Sequence, residues 1–345
     1  MKAYFAAYCT VLSVLACLLA TLKPAAAGTF VQEKSQNKTL VLVDTWATLE
    51  THSIFFEHIR SMGAGNHTLE FKLITGSPSE NVNIQQFNKY FYDNIILMAP
   101  TVRSYGADLK IKDLLEFVDF HHSLMIFANS ESRKTVRELA NEFGVDFEDY
   151  GYTMQGGKAP ERTSQPAFRR KNVTWSAELF EPLERVFTPL ERPVLFEDGI
   201  GAVLDTNKNN SHVFPILRAD PGGYSYNAGA PERRQTGGVS GNQLTLVAGY
   251  QTRYNQRVVL SGSTQMCSNE AMLANRDPAK GATVQSSPNY ILCTEMVEWN
   301  LHERGILRVA NVRHNKVGDK WDGHNPENYK RQVDIEYFID IFERK

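Results

Sequence analysis

Only four cysteines occur in the 345 residues, and two of them, Cys9 and Cys17, lie in an apolar amino-terminal stretch. A scaffold held together by many disulfides is therefore excluded. After residue 30 no apolar run reaches the ~18 residues that span a bilayer as a helix. Like charges never form a long block and the formal net charge is −2, which argues against a nucleic-acid partner. G-x-G-x-x-G, a P-loop, H-x-x-x-H and C-x-x-C are all missing, so the local signatures of nucleotide and metal sites are absent. What is present is ordinary globular composition, 42% hydrophobic and 22% charged, which supports a sizeable core.

The amino terminus reads as a secretory signal peptide over residues 1–27. Lys2 gives a short positive start, residues 3–22 are almost wholly apolar, Lys23-Pro24 breaks the run, and Ala25-Ala26-Ala27 supplies a small-residue cleavage site before Gly28. An uncleaved anchor helix is the alternative. Cleavage leaves Cys267 and Cys293, which either pair as one disulfide or remain two buried thiols. Sequons at Asn37, Asn66, Asn172 and Asn209 agree with a luminal glycoprotein.

Residues 28–39 are polar and read as a flexible start. From residue 40 strands and helices alternate. Leu40-Val41-Leu42-Val43 is an unbroken apolar run, the mark of a strand buried on both faces. Helical spacing over 50–62, a strand over 69–74, a helix over 84–92 and a strand over 94–98 follow. A helix over 112–120, a strand over 124–127 and a helix over 132–143 complete the run. Short connections between them imply an α/β fold with a parallel sheet over 40–150. Residues 150–170 read as a long loop and 218–242 as an irregular glycine-rich segment. Strands over 194–196, 200–204, 244–249, 257–260 and 306–312, with a helix over 290–302, make 151–312 a continuation of the same body. Residues 313–345 read as a linker and, over 332–342, the first strand of a β-domain.

In α/β folds chemistry lies at the strand ends. Asp44 closes the first strand and is expected to make a cap or loop hydrogen bond. Ser130 and Ser132 follow the strand that ends at Phe127, where amidotransferase-like folds often carry a cysteine; here they suit a helix N-cap. Leu260-Ser261-Gly262-Ser263 lacks the flanking glycines of a nucleophile elbow. His52 and His58 share a predicted helix but, six apart, face different ways, and the adjacent His121 and His122 point apart. Trp46, Trp175, Trp299 and Trp321 suit core or interface packing better than a sugar platform. No residue is assigned to catalysis, a cofactor or a metal.

Several stretches resemble one family. Residues 40–56 (LVLVDTWATLETHSIFF), 92–96 running on to Ser104-Tyr105-Gly106, and 244–263 (LTLVAGYQTRYNQRVVLSGS) are similar to the 48-kDa subunit family of the dolichyl-diphosphooligosaccharide–protein glycosyltransferase. So are Gly305-Ile306-Leu307-Arg308-Val309, His314 with Val317-Gly318, and Asp334-Ile335-Glu336-Tyr337. The resemblance implies an amidotransferase-like or flavodoxin-like domain in the lumen of the endoplasmic reticulum, then a β-domain and a membrane helix that the chain, ending at Lys345, does not contain. A carboxy-terminally shortened member is therefore expected. The resemblance also implies a non-catalytic role in transferring oligosaccharide from dolichyl diphosphate to Asn in N-x-S/T. The implied partners are a catalytic polytopic subunit that binds the metal, a ribophorin-type subunit and small membrane subunits. An independent luminal hydrolase or carbohydrate-binding protein on the same fold is the alternative.

Overall fold

A short apolar strand, β1 (Asn37–Val43), starts the ordered body; its last five residues are buried. The computed structural model describes residues 37–305, apart from 66, 78–79, 88, 156–172, 175–186, 189, 191, 206–211, 220–221 and 228–238. The predicted signal peptide, the strands over 306–312 and 332–342, and the sequons at Asn66, Asn172 and Asn209 lie outside the described residues.

After β1 come α1 (Ala47–Thr51), α2 (Ser53–Ser61), β2 (His67–Leu73), β3 (Gln85–Gln86), β4 (Lys89–Tyr90), β5 (Asn94–Met98) and α3 (Ile111–Asp119). Then follow β6 (Ser123–Phe127), α4 (Lys134–Glu142), β7 (Val145–Phe147), β8 (Tyr152–Gln155), β9 (Val173–Thr174), β10 (Val194–Leu195) and β11 (Ala202–Leu204). The described chain ends with β12 (Val213–Arg218), β13 (Tyr224–Asn227), β14 (Thr245–Gln251), β15 (Arg257–Ser261), α5 (Asn269–Leu273) and α6 (Pro288–Asn300).

The main sheet runs β2-β1-β5-β6-β15-β14-β11-β7, with β12 also paired to β14. The first five of these are parallel, and the rest join antiparallel. Counted along the chain, the parallel strands lie in the order second, first, third, fourth, fifth, which is the flavodoxin-like winding. The α/β class is that expected from the alternation of strands and helices, and the winding is of the kind that the family resemblance implies. The fifth strand, β15, reaches β6 only after an excursion that supplies the antiparallel flank.

Alternation along each strand sorts the two faces. Val41, Val43, Ile96, Met98, Met125 and Phe127 point to one side, where they meet Phe55, Phe56 and Ile59 of α2 and Leu292, Met296 and Val297 of α6. Leu40, Leu42, Ile95, Leu97, Leu124 and Ile126 point to the other, against α3 and α4. A strand with helices on both faces must be apolar at every position, so the central strands show unbroken runs. Helix α6 is buried nearly all round, and two asparagines fix it. Asn289 donates to the carbonyls of Leu195 and Met266 and accepts from the Leu195 amide at 2.8 Å. Asn300 donates to the carbonyls of Leu124 and Arg257. Cys267 and Cys293 are bonded, with Cα atoms 5.7 Å apart, tying the turn after β15 to the same helix.

Gly262, just past β15, marks the closest backbone approach. A Cβ there would stand 2.1 Å from the Ile200 carbonyl oxygen. The gap is used: the Ile200 amide donates to the Gly262 carbonyl, and the Gly262 amide donates to the Leu246 carbonyl, both at 2.9 Å.

Four expectations change. Residues 84–92 are not a helix but the hairpin of β3 and β4. Phe87 is 95% exposed and Phe91 40%, so of the helically spaced Ile84, Phe87 and Phe91 only Ile84 reaches the core. The expected long loop after residue 150 contains β8, which pairs with β13 inside the segment expected to be irregular. The helix containing His52 and His58 is broken at His52, whose ring meets the Thr264 carbonyl at 3.0 Å. Finally, the helix after Phe127 starts at Lys134 with Arg133 as its cap residue, so neither Ser130 nor Ser132 caps it.

Candidate functional site

Ligands in doubly wound folds sit beyond the carboxyl ends of the parallel strands, at the point where the winding reverses. Here that point lies between β1 and β5. Asp44, which follows β1, accepts from the Thr101 hydroxyl at 2.7 Å and from the Thr101 amide at 3.4 Å. The carboxylate thus joins the loops after the two strands, the loop hydrogen bond expected for it. Beyond β6, the Asn129 amide donates to the Ser132 hydroxyl at 2.7 Å, and Asn129 Oδ1 accepts from the Glu131 amide. The Ser130 hydroxyl donates to Asp198, and the Ser130 amide donates to the Asp198 carbonyl at 3.2 Å. Ser263, beyond β15, donates its hydroxyl to the Glu197 carbonyl. The ends of β6 and β15 are thereby laced to the 197–199 turn, and the ends of β1 and β5 to each other.

Asp198 is the most perturbed group in this edge. It sits in the left-handed region at φ +46°, and burial holds its carboxyl above the usual range against the pull of the Ser130 hydrogen bond. Glu131 adds to the upward shift. A carboxylate is a poor base toward a serine hydroxyl, whose activation ordinarily needs a histidine or an amine. The Ser130–Asp198 pair therefore works as a clamp between loops. Trp46 stands 52% exposed after β1, so it is not core, whereas Trp299 is buried under Arg257. Trp175 and Trp321 lie outside the described residues. Tyr150 is exposed with the Arg133 guanidinium 4.8 Å from its ring centre.

The amino end of β15 holds a buried cation that no sequence motif marks. Arg257 is 1% exposed, and its guanidinium donates to the carbonyls of Trp299 (2.6 Å), Arg304 (2.7 Å) and Gly305 (2.8 Å) and to Asn255 Oδ1 (3.1 Å). Those main-chain carbonyls lie at and beyond the end of α6, where unpaired carbonyls and the helix dipole concentrate negative charge. Burial lowers the guanidinium pKa to about 10, still well above neutral, so the group stays charged. Next to it, His302 is pushed down to about 4 by burial and by the Arg257 charge.

That shift carries a sign. A histidine depressed in the folded state from an ordinary value of 6.5 leaves the unfolded chain binding more protons between the two values. The stability it contributes is complete above pH 6.5 and is lost as the pH falls toward 4. His52 and His122, both depressed by burial, act the same way, whereas the raised Asp198 and Glu148 oppose them at the acid end. Thermal unfolding at pH 7 and pH 5 is expected to show the loss, and His302→Asn to reduce it. An identical pH dependence in that variant would contradict the assignment.

Of the other histidines, His58 meets Glu298 at 3.1 Å and His67 meets Glu303 at 3.2 Å, both bridging to α6 or just beyond it. His122 lies stacked on Phe117 with ring centres 4.4 Å apart. Among the described residues no group of three His, Cys, Asp or Glu side chains could hold a metal ion. Asn37, half-buried, opens β1, while Thr39 of its sequon is buried and accepts from Asn94 at 3.2 Å.

A family model described as "OST48, N-terminal domain" matches residues 31–303. The chain belongs to the OST48 family. The dolichyl-diphosphooligosaccharide–protein glycosyltransferase 48 kDa subunit of Arabidopsis thaliana is 30% identical over 321 residues, covering 91% of this chain and 69% of that protein. The subunit of the same name from Danio rerio is 31% identical over 286 residues, covering 82% of this chain and 62% of its own length. The chain thus spans about two thirds of the length of these relatives. Among solved structures, the carbohydrate deacetylase Agd3 aligns over 81% of this chain and 34% of its own at 10% identity, with a TM-score of 0.44. A likeness that distant says nothing of chemistry. Both relatives are named as subunits of a glycosyltransferase.

Proposed function

We propose that this OST48 chain is a luminal, non-catalytic subunit of the oligosaccharyltransferase, supporting transfer of oligosaccharide from dolichyl diphosphate to Asn in N-x-S/T. The names of its relatives support the complex. The observation that supports the non-catalytic role is the laced carboxyl edge, where Asp44 accepts from Thr101, the Asn129 amide donates to Ser132 and Ser130 donates to Asp198. Chemistry resides in a separate polytopic subunit, with ribophorin-type and small membrane subunits as further neighbours. The bonded Cys267 and Cys293 support an oxidising compartment, the lumen of the endoplasmic reticulum. No helix among the described residues is long and apolar enough to cross a membrane. The signal segment is removed after Ala27. Asn37, Asn66, Asn172 and Asn209 are the acceptor sites for glycans on the chain itself, and Asn37 is modified before β1 closes over Thr39.

The purified chain is expected to give no transfer from a dolichyl-linked oligosaccharide to an N-x-T peptide. Turnover by the chain alone, abolished by Ser130→Ala or Asp198→Asn, would replace the assembly role with an enzymatic one.

A further inference from the structure

β1 opens on an acceptor triplet, Asn37-Lys38-Thr39, and comes first in the chain although it lies inside the sheet. On one side it pairs with β2, with Asn37 opposite His67 and Lys38 opposite Thr68. On the other it pairs with β5, with Thr39 opposite Asn94. Both neighbours follow β1 in sequence, so the triplet has no partners when it first emerges during synthesis.

In the folded domain the triplet is fixed at every point. The Lys38 amide donates to the Asp93 carboxylate at 2.8 Å, and the Asp93 amide donates back to the Lys38 carbonyl at 2.8 Å. The Lys38 ammonium meets Glu70 at 3.1 Å and lies 5.0 Å from the centre of the Tyr92 ring. Thr39 is fully buried, and its hydroxyl accepts from the Asn94 side chain at 3.2 Å. Asn37 itself is half-buried.

The hydroxyl two residues after the asparagine is part of what defines an acceptor, so a transferase must reach it. On β1 that hydroxyl is inside the domain and both strand edges are taken. Reaching it means opening a strand that is bonded on both sides, and such strands open only with near-global unfolding. Unfolded fractions are roughly 10⁻³–10⁻⁶, so transfer to the folded chain is slowed about a thousandfold or more. Before Asp93 and Asn94 arrive, no such barrier exists. Asp93 follows Lys38 by 55 residues, which is roughly 3–11 s of synthesis at about 5–20 residues per second.

We propose that Asn37 receives its glycan only in this interval, and that Asp93 and Asn94 then close the site for the lifetime of the folded chain. The proposal rests on the reading of Asn37 as an acceptor and adds what regulates it. For the test, the full secreted chain is made while synthesis of dolichyl-linked oligosaccharide is inhibited, and is purified folded and glycan-free. It is then offered to solubilised microsomal oligosaccharyltransferase with dolichyl-linked oligosaccharide, beside a peptide spanning residues 34–42. Enzymatic glycan release in heavy-oxygen water, followed by mass spectrometry, scores occupancy of Asn37. The peptide is expected to be modified, and the folded chain about a thousandfold more slowly or less. Asp93→Ala with Asn94→Ala loosens the lock directly, and Cys267→Ala with Cys293→Ala loosens the fold at a distance. Each pair is expected to raise the rate on the chain about tenfold or more. Transfer to the folded chain at the rate of the peptide, or a wild-type rate in both variants, would overturn the proposal. An Asn37 left bare both in the peptide and in chain from uninhibited cells would instead remove the acceptor reading itself.

Discussion

Arg257→Ala is expected to lower stability by about 4 kcal/mol, because it opens a cavity and strands several buried acceptors together. The guanidinium satisfies the carbonyls of Trp299, Arg304 and Gly305 and lies 5.0 Å over the Trp299 ring. Its partners are oxygens at the end of α6 and on the chain that leaves it, so removing it loosens the exit from a helix that is buried nearly all round. Arg257→Lys keeps the charge but not the fork, and an ammonium cannot reach all of these oxygens at once. About half of the loss is expected there. Urea unfolding monitored by Trp299 fluorescence measures both. In the alanine variant the His302 pKa is also expected to rise, since one cause of its depression has gone. A loss below about 1 kcal/mol in Arg257→Ala would show that the cation is a passenger.

Opening the Cys267–Cys293 bond is expected to cost about 3.5 kcal/mol, the chain-entropy value for a loop of this length. The two residues are 26 apart in sequence, and both are fully buried. The bond fixes α6 against the turn that leaves β15, and the Asn289 hydrogen bonds lie in the same junction. The double variant Cys267→Ala, Cys293→Ala is the cleaner test, because reduction would leave two thiols crowded in a closed core. Denaturant unfolding of the variant beside the oxidised chain reads the difference. Equal midpoints would mean that packing alone holds the junction.

The parts of the fold that could be read in the sequence are those whose signal is local. β1, β5 and β6 announce themselves because both faces are buried, which forces four or more apolar residues in a row. α3 and α4 show a clean stripe because one side faces Phe117, Val118, Leu139 and Ala140 into the core. β12 escaped notice because Pro215 interrupts it and its register against β14 shifts on either side of Leu217. β8 and β13 are short and polar, and they exist only because they pair with each other across a long stretch of chain. The hairpin around Phe87 mimics a helix in the sequence because Phe87, although aromatic, is exposed.

The candidate sites divide along the same line. Asp44 was legible as a loop acceptor, since a carboxylate after a buried strand has few other roles. The Ser130–Asp198 clamp was not, because its partners are 68 residues apart and neither carries a motif. Arg257 was invisible for a stronger reason: its main partners are main-chain carbonyls, which every residue has.

Assembly is the central claim, and recovery of the complex tests it most directly. The full chain, tagged and expressed in eukaryotic cells, is captured from microsomes in mild detergent, and the eluate is assayed for oligosaccharide transfer to an N-x-T peptide. Transfer activity and a polytopic catalytic subunit are expected to elute with the chain in constant ratio across the peak. Recovery of the chain alone, with all transfer activity left in the unbound fraction, would contradict its role as a subunit.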